Sequence, residues 1–186
     1  ESDNRAPSYQ GNLDGGDDVF AAPESGVLNF ATTRRFSLEA RVNAPAAQEA
    51  GAAIVSKGPG TGEQFTIDVV GNQYRFYVYN SSASPTVLQT SVSPNGTWQH
   101  VVATFDQSQG IMRVYVNGSQ VASTTPPPTL LNNTADVTVG SRRSSPSSSY
   151  DHNLVGRIDE VAIYDRALSA VEVLAQKASR GRGRAA

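Results

Sequence analysis

Apolar and polar residues alternate with a period of two through much of this chain, and this pattern most constrains how it can fold. In Phe36–Val42 every second residue is apolar, and the residues between them are Ser, Glu and Arg. Because successive side chains of a β-strand point to opposite faces, the pattern is typical of a strand with one buried face. The same alternation recurs at short spacing, so the sequence predicts an all-β protein.

At least nine strands are predicted, and short turns join several of them. Gly71-Asn72 and Asn117-Gly118 are dipeptides suited to the positive φ angles of two-residue hairpin turns. Besides Phe36–Val42, the predicted strands include Gln64–Val70, Gln73–Asn80, Trp98–Phe105, Ile111–Val116, Ser119–Ser123, Asp136–Gly140 and Leu154–Tyr164.

Composition limits the classes of protein to consider. The chain of 186 residues is long enough for one domain with a full core. Its net charge of −2 gives no global field that would recruit nucleic acid or an anionic membrane, and no apolar run approaches the ~20 residues of a membrane span. Cysteine is absent, which excludes disulfides, zinc–thiolate sites and cysteine nucleophiles.

One short C-terminal helix is predicted. Ser169 and Glu172 form a capping-box pattern, with Leu168 and Val173 at the positions of a hydrophobic staple. The helix would run to about Lys177. We therefore expect a single domain over residues 1–178, followed by a flexible basic tail at 179–186.

Four segments, in order along the chain, carry a family resemblance. They are LDGGDDVF at Leu13–Phe20, FSLEARV at Phe36–Val42, TWQHVVATFD at Thr97–Asp106 with VYVNG at Val114–Gly118, and GRIDEVAIYDRALS at Gly156–Ser169. Together they resemble LamG-like (laminin G-like) jelly-roll domains of the concanavalin A-like lectin/glucanase superfamily, over residues 11 to 176. The resemblance implies two antiparallel sheets packed face to face, one of them curved to give a concave surface.

The sequence departs from the family pattern in two places. Arg41 stands where the family often has Trp, and the first motif contains Gly15-Gly16 and lacks the aromatic residue before Asp14. We expect both departures to alter local packing and to leave the fold unchanged.

A structural Ca²⁺ ion is a further implication of the resemblance, because related jelly rolls join their first and last strands through one. Ca²⁺ prefers several oxygen ligands from carboxylates, carbonyls and water. Asp17 and Asp159 are the best candidates here and Asp14 the next. The alternative is ordinary turn formation, since Asp and Gly are common turn residues. An ion at this site would stabilise the fold and take no part in catalysis.

The sequence offers little for catalysis. Glucanases of the superfamily carry catalytic carboxylates at alternate positions of one strand, and no E-x-D-x-x-E arrangement occurs here. Asp159 and Glu160 are adjacent, so in a regular strand they would point to opposite faces. His100 is expected to be a packed histidine. A lyase would need clustered Tyr, His and Arg, which keeps His152 and its neighbours under consideration.

The sequence contains clearer candidates for ligand binding than for catalysis. In Gln73–Asn80, Tyr74, Phe76 and Val78 form one face, which we assign to the core. The other face carries Arg75, Tyr77 and Tyr79, which form either a binding surface or ordinary cross-strand packing. Arg142, Arg143, Tyr150 and Asp151 could line the rim of such a surface. His152, beside Asp151 in a Ser-rich loop, either binds ligand or is a solvated loop histidine. Trp98 is assigned to the core.

These observations predict a non-catalytic module that binds carbohydrate or another extracellular ligand. The N-terminus lacks an initiator Met and a signal-peptide pattern, so we expect a processed protein or a module of a larger secreted or surface protein. The alternatives are a polysaccharide lyase or glycoside hydrolase on the same fold, and an adhesion domain that binds protein. No nucleic-acid partner and no membrane insertion are expected.

Overall fold

A computed structural model of the chain describes residues 11–16, 18–24 and 26–181. The elements in this part of the chain are β1 (Gly11–Asp14), β2 (Phe20–Ala22), β3 (Arg35–Asn43), β4 (Ala52–Lys57), β5 (Phe65–Val70), β6 (Gln73–Tyr79), β7 (Pro85–Gln89), β8 (Gln99–Asp106), β9 (Ile111–Val116), β10 (Ser119–Thr124), β11 (Val137–Val139), β12 (Val155–Tyr164) and the helix α1 (Ala170–Gly181).

The strands form two antiparallel sheets of six strands each. Sheet A has the order β1-β12-β3-β8-β9-β10, and sheet B has the order β2-β11-β4-β5-β6-β7. Every pairing is antiparallel. This architecture confirms the predicted all-β jelly-roll sandwich with one short C-terminal helix.

The core lies between the inner faces of the two sheets. Phe36, which is fully buried, stacks on Phe30 and Phe105 with ring centroids 5.0 and 5.2 Å away, and Phe65 from the opposite sheet lies at 5.3 Å. The alternate residues of β3 that were predicted to be buried are 0% exposed. Burying aromatic and aliphatic side chains in this way supplies most of the driving force for folding.

The two predicted hairpin turns have the expected backbone. Gly71 and Asn72 have φ angles of 58° and 62°, and Asn117 and Gly118 have 52° and 81°. Two successive positive φ angles match the right-handed twist of the flanking strands. The Gly71-Asn72 turn fixes the register of β5 and β6, which pairs Val70 with Gln73.

The helix α1 begins as the capping box predicts and ends later. Ser169 N–H donates to Glu172 Oε2 at 2.8 Å, and Glu172 N–H donates to Ser169 Oγ at 3.3 Å. Leu168 and Val173 are buried in a second small core with Val102, on the outer face of sheet A. The helix runs to Gly181, so the first three residues of the predicted tail are helical, and residues 182–186 lie outside the described part.

Trp98 is an exception to the predicted core. It is half-buried, and the guanidinium groups of Arg41 and Arg157 lie 6.0 and 5.5 Å from its ring centroid. Since Arg41 occupies the position where the family often has Trp, a cation–π contact is present where an aromatic pair would be expected.

Among the described residues, no helix is both long and apolar enough to cross a membrane.

Candidate functional site

The outer face of sheet B holds the predicted binding residues of β6. Tyr74 and its alternate partners in β6 are fully buried in the core, as predicted. Arg75, Tyr77 and Tyr79 therefore project from the opposite face. Tyr77 is 5% exposed, whereas Tyr79 is half-buried and presents part of its ring to solvent.

An ion pair spans β5 and β6 on this face. Asp68 lies directly opposite Arg75 in the register. Arg75 donates from Nε to Oδ1 of Asp68 at 2.9 Å and from Nη2 to Oδ2 at 2.5 Å. The Asp68 side chain is fully buried, and that of Arg75 is 22% exposed. Burial raises the pKa of Asp68, although the hydrogen bonds and charge of Arg75 oppose the shift.

A second ion pair lies beside the first. Arg142 donates from Nη1 to Oε1 of Glu63 at 3.0 Å, and Tyr77 OH donates to the same oxygen at 2.9 Å. Arg142 Nη2 also lies 3.9 Å from Oδ2 of Asp68, so its guanidinium stands between the two carboxylates. We call Glu63, Asp68, Arg75, Tyr77 and Arg142 the charged cluster.

The charged cluster is largely removed from water and not fully satisfied. Burial raises the pKa of Glu63, and the Tyr77 hydroxyl and the Arg142 charge act in the opposite direction. Burial also raises the pKa of Tyr77, so its hydroxyl stays protonated and can donate. Glu63 Oε2 and Arg142 Nε are buried without a hydrogen-bond partner among the described residues. Such groups are uncommon in folded proteins and call for an explanation.

Aromatic rings border the charged cluster. The Arg75 guanidinium lies 4.8 Å from the ring centroid of Tyr77. The Tyr79 ring meets the Tyr77 ring edge to face at 6.0 Å. This arrangement fixes the orientation of Arg75 and leaves the half-buried Tyr79 at the edge of the cluster, where a ligand could stack.

Gly51 allows His152 to lie beside Arg142 of the charged cluster. Its φ is +89°, and a Cβ atom there would lie 2.8 Å from Arg142 Nη2 and 3.1 Å from His152 Nδ1. Only glycine leaves room for both side chains. His152 N–H also donates to the carbonyl of Arg142 at 3.1 Å. The structure thus brings five of the predicted binding residues together, namely Arg75, Tyr77, Tyr79, Arg142 and His152.

The other two predicted binding residues form a neighbouring group. The Arg143 guanidinium lies 4.7 Å from the ring centroid of Tyr150. Both line an open cleft of about 300 Å³, whose walls include Asp136 and Thr138. We call this the rim cleft.

A row of hydroxyl groups connects the rim cleft with the charged cluster. In the register, Thr138 faces Ser56, Ser56 faces Thr66, and Thr66 faces Tyr77. The hydroxyls of Ser56 and Thr66 lie 2.8 Å apart. The two groups of predicted binding residues therefore lie on one continuous polar face.

Sequence reasoning missed the two carboxylates of the charged cluster. Asp68 is a charged residue within the apolar segment FTIDVV, and a two-residue turn at Gly71-Asn72 places it opposite Arg75. That register could have been deduced from the turn. Glu63 lies in the loop before β5, where no local pattern identifies its partner Arg142, which is 79 residues away.

The first and last strands pair with each other, but not around a pair of carboxylates. β1 pairs with β12, and Asp14 lies opposite Val155, four residues from Asp159. Four strand residues span about 13 Å, whereas two oxygens bound to one Ca²⁺ ion are at most about 5 Å apart. The described geometry therefore does not support one ion shared by Asp14 and Asp159. Asp17 lies outside the described residues.

Asp159 has a structural role at a β-bulge. The pairing of β12 with β3 shifts between Asp159 and Ala162, and Glu160 has a φ of 50°. Asp159 Oδ1 accepts the N–H of Glu160 at 2.8 Å, and Asp159 lies opposite Arg41 in the register. A bulge disrupts strand alternation, and a carboxylate that holds the N–H group stabilises it. In the described part of the chain, no group of three or more acidic or histidine side chains could hold a metal ion.

His100 is packed, as predicted. It is 3% exposed, and its Nε2 lies 2.8 Å from Oε1 of Glu39, whose Oε2 accepts a hydrogen bond from Tyr164 OH at 2.6 Å. This group lies on the outer face of sheet A, and the charged cluster lies on the outer face of sheet B. The two do not form one site.

Solved structures with similar folds are binding domains and a pentraxin. The binding domain of Paraclostridial Mosquitocidal Protein 1 has a TM-score of 0.73 and 16% identity, covering 94% of this chain and 44% of that one. The Botulinum Neurotoxin serotype G binding domain has a TM-score of 0.72 and 16% identity, covering 94% and 43%. The heptameric SAP-like pentraxin from Limulus polyphemus has a TM-score of 0.63 and 16% identity, covering 89% and 79%.

These likenesses are similarities of fold, since all three structures are only 16% identical to this chain. The chain spans less than half the length of the two toxin binding domains. No curated protein sequence matches it significantly. Residues 14–174 match the Laminin_G_3 family, which is described as concanavalin A-like lectin/glucanases superfamily. The chain therefore belongs to the Laminin_G_3 family of the concanavalin A-like lectin/glucanases superfamily.

Proposed function

We propose that this chain is a non-catalytic module that binds a carbohydrate or another extracellular ligand on the outer face of sheet B. The observation that carries the proposal is the position of Tyr79 beside the charged cluster. The solved structures with this fold include domains named as binding domains, which agrees with a binding role.

The chemistry of the face suits a sugar. Sugar rings stack on aromatic side chains through their C–H groups, and their hydroxyls form hydrogen bonds with planar polar groups. Arg75 is held by Asp68 and Tyr77 and is still partly exposed, so it can donate to a ligand with little loss of side-chain entropy. Tyr79 provides the adjacent aromatic surface.

Pairing of the carboxylates argues against catalysis. Glycoside cleavage needs one carboxyl that donates a proton and one carboxylate that is free to attack or to activate water. Asp68 is bound at both oxygens by Arg75, and Oε1 of Glu63 is bound by Arg142 and Tyr77. These contacts occupy both oxygens of Asp68 and one oxygen of Glu63, which holds the two carboxylates within the charged cluster.

An enzyme on the same face is the second candidate. Two carboxylates with raised pKa values lie near Tyr77 and His152, and such groups are often found at active sites. A glycoside hydrolase would release reducing ends from mixed polysaccharides, and a lyase would generate absorbance at 232 nm. Activity that disappears in both Glu63→Gln and His152→Ala would replace the binding proposal with this one.

A glycan array tests the binding proposal. We expect the wild type to bind at least one glycan, and Tyr79→Ala to weaken that binding about tenfold, which is the effect of losing one aromatic stacking contact. Tyr77→Phe keeps the ring and removes the hydroxyl that holds Glu63. The control is Val171→Ala on α1, which is 78% exposed and lies on the other side of the molecule.

The possible outcomes separate the candidate functions. Binding that is lost in Tyr79→Ala and kept in Val171→Ala supports the proposal. Absence of binding to any glycan would remove the carbohydrate ligand. Capture of a protein ligand that depends on Tyr79 would leave the third candidate, an adhesion domain.

A secreted or cell-surface location and further domains in a longer protein belong to the same proposal. The family supports both parts of the proposal, and no residue of the site bears on them. Examination of the gene that encodes this module for an export signal and for neighbouring domains tests them. A parent protein confined to the cytosol would contradict the proposed location.

A structural Ca²⁺ ion remains a prediction for the loop that contains Asp14 and Asp17. The alternative is that these residues only form a turn. Two hydrogen bonds support it, because Asp14 Oδ1 accepts Gly16 N–H at 2.8 Å and Asp18 Oδ2 accepts Asp14 N–H at 3.1 Å. Ca²⁺ at 100 times its Kd would raise the free energy of unfolding by about 2.7 kcal/mol. For a chain of this size, that change raises Tm by about 5 °C or more. An identical Tm with Ca²⁺ and with EGTA would contradict the prediction.

A further inference from the structure

The rim cleft has the features of a separate site for a small ligand. It lies beside the charged cluster, at the β11 end of the hydroxyl row. Its volume of about 300 Å³ is at the lower end of the range for ligand pockets, which suits a single small ring. Pro59 and Pro146 contribute apolar surface to its walls.

One wall of the rim cleft supplies hydrogen-bond donors. The Arg143 guanidinium is stacked on Tyr150, which fixes its plane. Within the described residues it forms no ion pair or side-chain hydrogen bond, and its Nε is buried without a partner. Its positive charge is thus held in position and not neutralised by a direct contact.

Another part of the wall supplies an acceptor. Asp136 is exposed, and among the described residues its Oδ1 accepts one hydrogen bond, from Glu24 N–H at 3.3 Å. The buried cation Lys57 donates to Glu24 and to the carbonyl of Ala135 at 2.7 Å, and in the described part of the chain it forms no hydrogen bond with Asp136. The Asp136 carboxylate therefore keeps lone pairs for a ligand.

Thr138 adds an unsatisfied hydroxyl to the same cleft. It is 6% exposed, and its Oγ1 is buried with no partner among the described residues. A buried hydroxyl without a hydrogen-bond partner destabilises the fold unless a ligand or a water molecule forms a hydrogen bond with it. This observation is independent of the charges of Arg143 and Asp136.

We infer that the rim cleft binds one neutral sugar ring, with its hydroxyls donating to Asp136 and accepting from Arg143. One cation and one anion line the cleft, so a ligand with net charge of either sign would face one repulsive group. A polyhydroxyl ring can donate and accept at the same time, and its C–H face can pack on the two prolines and Tyr150. This inference rests on the proposed carbohydrate function and names the class of sugar.

Saturation-transfer NMR and titration with neutral methyl pyranosides test the inference. The panel contains the methyl glycosides of glucose, galactose and mannose, with glucuronate, glucosamine and glycine betaine as anionic, cationic and zwitterionic probes. We expect a neutral glycoside to bind. Arg143→Met and Asp136→Ala should each raise its Kd at least about tenfold, because each removes hydrogen bonds to a charged group.

One further variant tests the Thr138 hydroxyl, and another serves as a control. Thr138→Val keeps the shape of the side chain and removes a hydroxyl that has no protein partner, so it should fold as well as the wild type and bind the sugar more weakly. Tyr79 lies outside the rim cleft, so Tyr79→Ala should leave the Kd for the glycoside unchanged. Circular dichroism confirms that each variant is folded.

The outcomes distinguish this inference from the proposed function. Neutral glycosides that bind equally to the wild type, Arg143→Met and Asp136→Ala would overturn the inference, as would binding of the charged or zwitterionic probes alone. If glycan binding is lost in Tyr79→Ala and is indifferent to the rim-cleft variants, the proposed function holds and the inference fails. If no sugar or glycan binds, the inference fails and so does the carbohydrate ligand of the proposed function.

Discussion

The two outer faces of the sandwich use the same kind of residue for different purposes. On sheet A the outward residues of β3 bind neighbouring parts of the chain. Ser37 Oγ accepts Leu168 N–H, just before α1, at 2.8 Å, and Glu39 accepts a hydrogen bond from Tyr164 OH at the end of β12. On sheet B the outward residues Asp68 and Arg75 bind each other. The start of α1 packs on Val102 and Tyr115 of the first face, and the second face keeps a cleft.

This difference indicates which outer face of the sandwich is available for binding a ligand. Period-two alternation places a polar residue outward on both sheets. What is stacked on that residue decides whether it becomes part of a second core or of a binding surface. Four tests address the comparison, beginning with the largest expected effect.

Removing one partner of a buried ion pair should cause the largest loss in the free energy of unfolding. Arg142→Met should lower the free energy of unfolding by about 3–5 kcal/mol, because it leaves Glu63 buried without its cation. Urea denaturation measures the change. The double variant Glu63→Leu with Arg142→Met should recover much of the loss, since no buried charge is left unpaired. If the double variant is as unstable as the sum of its two single variants, the ion pair does not account for the effect.

Removing the apolar contact that holds α1 should cost less. Leu168 is 2% exposed in the small core on sheet A. Leu168→Ala should destabilise the protein by about 2–4 kcal/mol, through lost burial and the cavity left behind. Thermal denaturation measures this change. Ligand affinity on sheet B should stay the same, and a parallel loss of affinity would show that the two faces are not independent.

The helix cap should contribute about 1 kcal/mol. Ser169→Ala removes the hydroxyl that accepts Glu172 N–H, and the expected loss is typical of an N-cap. Ser169→Asp supplies another acceptor and serves as the matched control. A loss in Ser169→Asp equal to that in Ser169→Ala would contradict this role of the hydroxyl.

The fourth test compares pH slopes. Burial raises the folded-state pKa of Glu63 above 4.5, so the folded state binds its proton more tightly than the unfolded state does. The resulting stability is present below pH 4.5 and is lost as pH rises through the folded pKa. The free energy of unfolding of the wild type should therefore fall, relative to Glu63→Gln, as pH rises above about 4.5. Parallel curves would contradict the raised pKa.

The sequence predicts the parts of this fold that depend on local patterns. The alternation in β3, the positive-φ turns and the capping box each depend on neighbouring residues, and the structure confirms them. Strand β4 was not predicted, because all six of its residues are buried and it shows no alternation. β7 begins at Pro85 at the edge of sheet B, where proline does not disrupt the sheet but weakens the strand signal.

The site was predictable only where one strand carries it. Arg75, Tyr77 and Tyr79 share a face because they alternate in β6. The contact of Arg142 with Glu63 joins two loops distant in sequence, and only the completed sandwich brings them together. The prediction of an ion held by Asp17, Asp159 and Asp14 depended on the register of β1 with β12, which local patterns do not set.

Hydrogen–deuterium exchange with a bound glycan tests the central claim that sheet B carries the binding surface. The glycan is one selected on the array, at a concentration that saturates the wild type. We predict slower exchange in 63–79 and 141–152 and no change in α1 or in 35–43. Protection confined to α1 and sheet A would contradict the claim.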